Sequence, residues 1–456
     1  MNRANRFERL PVRAAALALA TLAALAMTAG VACAQRLSGW ASLPAATFSD
    51  GPDSGQATRP NPWGTNLPPW RGRQPVQGFS AILAGRAPGT FRVLVDNGFG
   101  ARANSGDFEL RAYAIHVDWR SADGGAGTVH AADWSTGTKR AAFDAGSRIV
   151  FHDAGGALTG ADFDPESFRE DGRGHLWLGD EFGPWLLETD ASGRVLGNPF
   201  GVPGVRSPEH PDVRAGRAAA TLPGSGGFEG LALSCDGARL YGLLEKTVAG
   251  DVPGQLRLIP FDLTRRTFEP VRAIYPLEQP SHAIGDLAAL ADGQFLVIER
   301  NSSTATTVGE GAPFKRIYRI TLPVEAGALV EKTLLVDLMD LADPDDLDGD
   351  GRRQFDFPYV TIENLLVLDA STLVVANDNN FPYGGGRRAA SDDTELLRIA
   401  LDAPLPVCAS HSPSAAATRA VSAQGVTGHG RSSGLKGRAR PQDSAASTSA
   451  RTRPPE

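Results

Sequence analysis

Short apolar runs alternate with turn residues along most of this chain, and they recur as paired units. In each unit a polar residue opens an apolar strand, a tight turn follows, and a second apolar strand ends on carboxylates or an Asn. The distance from opening to closing position, about 13 to 16 residues, fits two short strands joined by a hairpin turn. Four clear units follow a weaker first one, at Gly78–Gly100, Asp162–Leu187, Gly227–Glu245, Ile284–Arg300 and Thr361–Asn380.

The spacing of these units predicts the fold class. Their starts lie roughly 55 to 85 residues apart, which is too close for separate domains but suits the blades of a β-propeller. Helical periodicity is almost absent, so we predict an all-β protein. We expect six blades, of which five are recognisable as repeats. A strand within Arg36–Phe48 should complete the last blade near Thr394–Ala400 and close the ring.

The two ends of the chain differ from this pattern. Residues 1–34 combine a basic start, an apolar stretch and small residues at Ala32-Cys33-Ala34, which predicts a signal peptide cut before Gln35. Lipidation of Cys33 is the alternative, but the residues before it favour cleavage. We therefore predict a propeller domain at 35–410, a disordered tail rich in Ala, Ser and Arg at 411–456, and a secreted or periplasmic location. No later apolar run is long enough to span a membrane.

Charge narrows the possible partners. The chain has 45 basic and 52 acidic residues. The two ends are more basic than acidic, so residues 35–410 carry 34 basic and 49 acidic residues. An acidic domain of this kind lacks the basic surface that nucleic acids require. It suits a protein that holds cations and acts on a small molecule. We expect a monomer.

Several common catalytic motifs are absent. Residues 35–410 contain no G-x-S-x-G, no H-E-x-x-H, no C-x-x-C and no P-loop. Neither of the two cysteines left after export, Cys235 and Cys408, lies in a nucleophile motif. They either form a disulfide or remain free thiols, and the sequence leaves both possibilities open. The reactive groups that remain are carboxylates, Asn, Arg and Lys.

Carboxylates open the strands of the repeated units. Because the innermost strands of a propeller line its channel, equivalent strand ends converge on one mouth. We expect Glu166, Glu229, Asp286 and Glu363 to act there as a catalytic set, with Arg300 and Lys315 steadying an anion.

A second series of acids lies near the ends of the units. Carboxylates brought close together repel one another and favour a bound cation, and calcium accepts many oxygen ligands in irregular geometry. We predict Ca²⁺ as the cofactor. The expected metal ligands on the strand-closing side are Asp180, Glu181, Glu245, Glu299 and Asp378, with Asp96 and three Asn residues alongside, and Asp162 is added from the strand-opening side. Glu188 and Asp190 lie beyond these strands, and we expect their amide variants to be nearly silent.

A separate acidic motif follows the fourth unit. Asp346, Asp348 and Asp350 have the D-x-D-x-D-G spacing that places alternate carboxylates around a cation. The motif departs from a full EF-hand loop because Phe357 stands where the last Glu would be. We predict a structural calcium site there. The alternative is a solvated acidic loop.

Long stretches of the chain resemble the phytase-like family described as having esterase-like activity of phytase. The resemblance covers nearly everything from Leu37 to Leu401, and its most specific pieces are LWLGDEFGPWLLETDASGRVL, GFEGLALSCDGARLYGLLE, FPYVTIENLLVL and ANDNNFPYGGGR. It implies a secreted bacterial β-propeller with hydrolase activity, distantly similar to propeller phytases that hydrolyse phosphomonoesters with calcium.

Residues and resemblance together give a functional hypothesis: calcium-assisted hydrolysis of phosphate or carboxylic esters at the channel mouth, without a covalent nucleophile. Two alternatives stay open. One is a calcium-dependent lactonase or arylesterase. The other is a propeller that binds a ligand or protein without catalysis.

Overall fold

Strands dominate the computed structural model, which describes residues 35–60 and 67–408. The predicted signal peptide and tail lie outside these residues, so their assignment stays a prediction. One short helix, α1 (Pro211–Arg214), is present in the described part, and no helix there is long and apolar enough to cross a membrane. The N-terminal strands are β1 (Arg36–Leu43), β2 (Phe48–Asp50) and β3 (Arg73–Pro75).

Antiparallel sheets form the blades, and from the innermost strand of each one the next two strands run outward in chain order. Blade 1 contains β4 (Phe79–Ala84), β5 (Thr90–Val95), β6 (Arg111–Asp118), β7 (Thr128–Ala131) and β8 (Arg148–Val150). A hairpin of β9 (His152–Asp153) and β10 (Gly156–Ala157) follows it. Blade 2 contains β11 (Pro165–Glu170), β12 (Leu176–Asp180), β13 (Trp185–Thr189) and β14 (Phe200–Gly201).

The remaining blades repeat this arrangement. Blade 3 contains β15 (Phe228–Leu233), β16 (Arg239–Leu244), β17 (Gln255–Asp262), β18 (Thr267–Phe268) and β19 (Ala273–Pro276). Blade 4 contains β20 (Ala283–Ala291), β21 (Gln294–Arg300), β22 (Lys315–Thr321) and β23 (Glu331–Asp337). A small ribbon of β24 (Leu341–Ala342) and β25 (Gln354–Phe355) leads to blade 5, with β26 (Ile362–Asp369), β27 (Thr372–Asn377) and β28 (Thr394–Ala400).

The ring closes with five blades in the described residues. The innermost strands β4, β11, β15, β20 and β26 contact one another in that order, and β26 returns to contact β4. The prediction of an all-β propeller is confirmed, but the expectation of six blades is wrong. The five recognisable repeats are the five blades, because the long intervals between them are occupied by outer strands, two-stranded ribbons and connecting loops rather than by another blade.

The predicted closure by the N-terminal strand is also confirmed. Strand β1 pairs antiparallel with β28, from Arg36 opposite Ala400 to Leu43 opposite Thr394. The last blade therefore combines both ends of the domain, and an edge that would otherwise be exposed is paired.

Apolar side chains pack between blades rather than in one central core. Each of five buried clusters draws residues from two adjacent blades; for example, Ala81 and Leu94 of blade 1 pack with Phe168 and Leu178 of blade 2. Such packing lets a domain of this length fold as one ring, because each blade needs only its neighbours.

Cys235 and Cys408 form a disulfide, which answers the question that the sequence left open. Cys235 follows β15 in blade 3, whereas Cys408 lies after the last strand and donates its backbone N–H to Leu290 of blade 4. The bond therefore holds the C-terminal segment against blades 3 and 4.

Candidate functional site

A β-bulge at the start of every innermost strand positions the first set of polar side chains. In each blade the ladder between the first two strands skips one residue, which a bulge leaves without a partner. The skipped residues, in blade order, are Ser80, Glu166, Glu229, Gly285 and Glu363. Three blades thus present a glutamate at the same point of the ring.

A second set of side chains follows the second strand of each blade. One residue of the second strand pairs with the residue that precedes the bulge. The next residue along the second strand is an acid in four blades and an arginine in blade 4. These equivalent residues are Asp96, Glu181, Glu245, Arg300 and Asp378. Together with the bulge glutamates and Asp164, which precedes β11, they form what we call the acidic mouth.

Arg300 neutralises one side of the acidic mouth. Its Nη2 lies 3.1 Å from Glu363 Oε1 in blade 5, and 3.2 Å and 3.3 Å from Oε1 of Glu229 and Glu245 in blade 3. Burial disfavours the charged guanidinium, but the charges of these three glutamates outweigh it and raise the pKa of Arg300. The arginine is therefore a fixed counter-ion for three carboxylates.

The opposite side of the mouth has a surplus of negative charge. Asp164 is buried, and its Oδ1 has no hydrogen-bond partner. Burial, then repulsion from Asp378 and Asp164, raises the pKa of Asp96 well above its usual range. Burial, then repulsion from Asp164 and Glu229, does the same to the pKa of Glu166. These carboxylates would bind either protons or a cation at neutral pH.

The carboxylates beside Arg300 are also perturbed. Burial raises the pKa of Glu363 to about 8, although the charge of Arg300 opposes the shift. Burial raises the pKa of Asp378 to about 6, again against the charge of Arg300. Glu181, whose Oε1 accepts the Gly227 N–H at 3.1 Å, has a raised pKa because of burial and the charge of Glu245. One arginine does not balance eight carboxylates.

The channel is closed below the acidic mouth. Arg169 of blade 2 donates from Nη2 to Asp286 Oδ1 at 3.1 Å and to the Leu287 carbonyl at 2.8 Å, both in blade 4. Since blades 2 and 4 are not neighbours, this ion pair crosses the channel. The mouth is therefore a blind site rather than the entrance to a through-passage.

Asp286, which the sequence placed with the mouth glutamates, belongs to this floor. Gly285 occupies the bulge position in blade 4, and Asp286 lies one residue further along the strand. It is fully buried, and its Oδ2 accepts the Leu365 N–H of blade 5 at 3.0 Å. A Cβ on Gly285 would lie 1.9 Å from the Ile362 carbonyl oxygen, so no larger residue fits at the bulge.

Two other predicted ligands bind backbone groups. Asp162 caps a turn by accepting the N–H and hydroxyl of Thr159, each at 2.9 Å. Asp180 accepts backbone N–H groups from Asp164 and Gly183, each at 2.8 Å. Both carboxylates are thus used in local backbone structure.

Nearby hydrogen-bond donors occupy both carboxylate oxygens of Glu299. It accepts hydrogen bonds from Tyr275 Oη at 2.8 Å and from Lys332 Nζ at 2.6 Å, and its Oε1 lies 2.9 Å from His282 Nδ1. It also accepts the Glu278 N–H at 2.7 Å. These partners leave it no role as a ligand at the mouth.

Lys315 lies beside Arg300 on the neighbouring strand, but it does not reach the carboxylates. Its ammonium group is fully buried and donates to the carbonyl oxygen of Asn301. Burial and the charge of Arg300 lower the pKa of Lys315 to about 7. Its contacts anchor the loop that follows Arg300, and it does not offer a charge to a substrate.

Glu188 is not the surface residue that the sequence suggested. It is 3% exposed, its Oε1 lies 2.7 Å from His175 Nδ1, and Arg266 binds its other oxygen. Although Asp171, His175 and Glu188 bring one ligand atom each within 4.8 Å, arginines already pair with the two carboxylates. This group is an ionic network that joins blades 2 and 3.

Asp164 is the mouth residue that sequence reasoning missed. It lies two residues before the bulge glutamate of blade 2, at a position where the other blades have Gly78, Gly227, Ala283 and Thr361. Aligning the five units on their bulge position would have shown it as an additional acid.

The donor set of the acidic mouth fits a calcium ion. The mouth contains two groups of three carboxylates, and within each group one oxygen per residue lies within 4.8 Å of the others. The groups are Asp164, Glu166 and Glu181, and Glu181, Glu229 and Glu245. All the donors are oxygen atoms, which hard cations prefer, and the unpartnered Asp164 Oδ1 leaves a ligand position available.

Topology and site together define a five-bladed β-propeller with an acidic channel mouth. A family model matches residues 74–381, and the chain belongs to this family, the phytase-like proteins described as having esterase-like activity of phytase. Among curated proteins no match was found.

Solved structures resemble the chain only weakly. A calcium-binding protein, regucalcin, from Agrobacterium tumefaciens is 12% identical over 79% of this chain and 96% of its own, with a TM-score of 0.33. Virginiamycin B lyase from Staphylococcus aureus is 11% identical over 71% and 95%, with a TM-score of 0.30. A luciferin-regenerating enzyme is 12% identical over 72% and 80%, with a TM-score of 0.31. The fold assignment rests instead on the sheet topology.

Proposed function

We propose that this protein hydrolyses phosphate or carboxylic esters at the acidic mouth with the help of bound calcium. The observation that carries the proposal is the charge imbalance there: Asp96, Asp164 and Glu166 have no basic partner among the described residues, whereas Arg300 holds only the glutamates on the other side. Family membership supports an ester substrate.

Calcium would be held by the two overlapping groups of carboxylates that share Glu181. When bound, it would supply positive charge that neutralises a phosphate or polarises an ester carbonyl. The remaining steps depend on the protein's own side chains.

Glu166 is the best placed proton acceptor. It is only half-buried, unlike Glu229 and Glu363, so a water molecule can reach its carboxylate from the mouth. We assign its second oxygen, the one not offered to the ion, the role of orienting and deprotonating the attacking water.

Arg300 and Lys315 have structural roles in this proposal. Arg300 is the counter-ion that faces Glu229, Glu245 and Glu363, while the buried Lys315 fixes the loop after Arg300. A second cation beside the acidic mouth is Lys246, which is half-exposed and lies 2.9 Å from Glu245. It is the side chain that we expect to meet an anionic substrate.

A substrate panel with calcium or with chelator tests the proposal. Phosphate monoesters, phytate, aryl esters and lactones should be assayed with the wild type, Glu166→Gln and the exposed-site control Glu325→Gln. We expect calcium-dependent turnover that Glu166→Gln reduces by a factor of about 100 and Glu325→Gln leaves intact. Turnover confined to lactones or aryl esters would identify the lactonase or arylesterase alternative. Calcium binding without turnover of any substrate would favour a binding propeller.

A further inference from the structure

A second group of carboxylates lies outside the propeller mouth, in the loop between β24 and β25. Asp346, Asp348 and Asp350 each bring one oxygen within 4.8 Å of the others. The backbone folds tightly around them, since Asp346, Gly349 and Gly351 all have positive φ angles. Exposed acidic loops are common without a bound ion.

Asp343, which begins the loop, is a buried carboxylate with one unpartnered oxygen. Its side chain is 1% exposed, and its Oδ2 accepts the Leu347 N–H at 2.7 Å from the middle of the same loop. Its Oδ1 is buried without a hydrogen-bond partner. A buried carboxylate oxygen without a partner is costly unless a cation meets it.

Nearby arginines neutralise only the edge of the loop. Arg36 pairs with Asp345, and Arg352 pairs with Asp350. Among the described residues no basic side chain forms an ion pair with Asp343, Asp346 or Asp348. The interior of the loop therefore contains three carboxylates that lack a cationic partner.

We propose that this loop binds one calcium ion through Asp346, Asp348 and Asp350, with the buried carboxylate of Asp343 at the base of the same loop, independently of the acidic mouth. The donors are oxygen atoms only, and alternate positions along a tight turn suit the irregular coordination of calcium. Magnesium fits less well because it requires near-octahedral geometry.

Contacts of the loop show what the ion would do. Strand β24 pairs with β1 at Arg36, and the Ala342 N–H donates to the Gln35 carbonyl at 2.9 Å. Arg120 of blade 1 donates to the Leu347 carbonyl at 3.2 Å. Calcium would therefore hold the loop against the strand that closes the ring, so its effect should be seen in β1.

Calcium stoichiometry and hydrogen exchange of the full exported chain test the proposal. Equilibrium dialysis should show one calcium fewer per chain in Asp348→Asn than in the wild type and in the control Asp153→Asn, at an exposed position in β9. Calcium should slow amide exchange in 36–43 of the wild type by about tenfold or more, by the mass-action stabilisation of a folded-state ligand. This protection should disappear in Asp348→Asn.

Glu166→Gln separates the two sites. If the mouth binds no calcium, this variant and the wild type will have equal stoichiometry, while the loss in Asp348→Asn will persist. The loop proposal is overturned if Asp348→Asn binds as much calcium as the wild type, or if calcium leaves exchange of 36–43 unchanged in the wild type. The second measurement needs no variant, so an absence of protection in the wild type overturns the proposal even where Asp348→Asn does not fold.

Discussion

Arg300 of blade 4 and Glu363 of blade 5 are joined across the acidic mouth, with Nη2 of the arginine 3.1 Å from Oε1 of the glutamate. The same nitrogen faces Glu229 and Glu245 of blade 3. An arginine thus occupies the place at which four other blades carry an acid, and it connects blades that flank its own. Removal of its charge should affect both stability and metal binding.

Arg300→Gln should destabilise the calcium-free protein by about 3 to 5 kcal/mol, because it leaves the buried carboxylates of Glu229 and Glu363 without a counter-ion and Glu245 with Lys246 alone. Urea unfolding at pH 8 with chelator measures the loss. The loss should shrink at pH 5, where the carboxyl groups hold protons, and with added calcium.

The control for this variant is Arg86→Gln, at an exposed turn position, which should change stability by less than about 0.5 kcal/mol. A cost for Arg300→Gln that is the same at both pH values and with calcium would show that lost packing, rather than charge, is responsible.

The pH dependence of calcium-free stability should follow from the raised carboxyl pKa values. A carboxyl group whose pKa is higher in the folded state stabilises the fold while it is protonated, fully below its unfolded pKa of about 4. That contribution is lost as the pH rises through about 6 for Asp378 and about 8 for Glu363. We therefore expect stability in chelator to fall between pH 4 and 8.

Calcium should reverse this trend, since it binds the ionised carboxylates and displaces protons. Calorimetric titration in buffers of different ionisation enthalpy should show proton release at pH 6 to 7. Two results together would contradict the assignment of Asp378 and Glu363 to one coupled site: equal melting temperatures in chelator between pH 4 and 8, and no proton release on calcium binding.

Gly285→Ala should destabilise the ring strongly, because the new Cβ would lie 1.9 Å from the backbone oxygen of Ile362 in the next blade. A shift of backbone is needed, and overpacking of this kind costs about 1 to 3 kcal/mol or more. Chemical denaturation gives the value. Gly172→Ala is the matched control, since its new Cβ would meet no atom within 4 Å and its φ is not positive.

A stable Gly285→Ala protein would mean that blades 4 and 5 can separate slightly at the bulge. In that case the absence of a fourth bulge glutamate would have a cause other than lack of space.

Glu188→Gln should cost about 1 to 3 kcal/mol, because Glu188 accepts from Arg266 and His175 in a buried network. Exposed Glu331→Gln should leave stability unchanged. Thermal unfolding of the two variants makes the comparison. Equal melting temperatures would show that the network contributes little and that Glu188 behaves as a surface residue.

The sequence by itself determined the repeated unit, the propeller class and the closing strand. These features are local: alternation of apolar residues, turn residues and strand-end carboxylates can be read within about 20 residues. Glu166, Glu229 and Glu363 were found in this way because each follows the same local pattern.

Tertiary structure decided which side chains meet. A bulge shifts the register by one residue, so Gly285 takes the mouth position and Asp286 joins Arg169 in the floor of the channel. The number of blades, the counter-ion role of Arg300 and the pairing of Cys235 with Cys408 depend on contacts between distant blades. Such contacts follow from how the sheets pack around the ring, and no local pattern of residues encodes that packing.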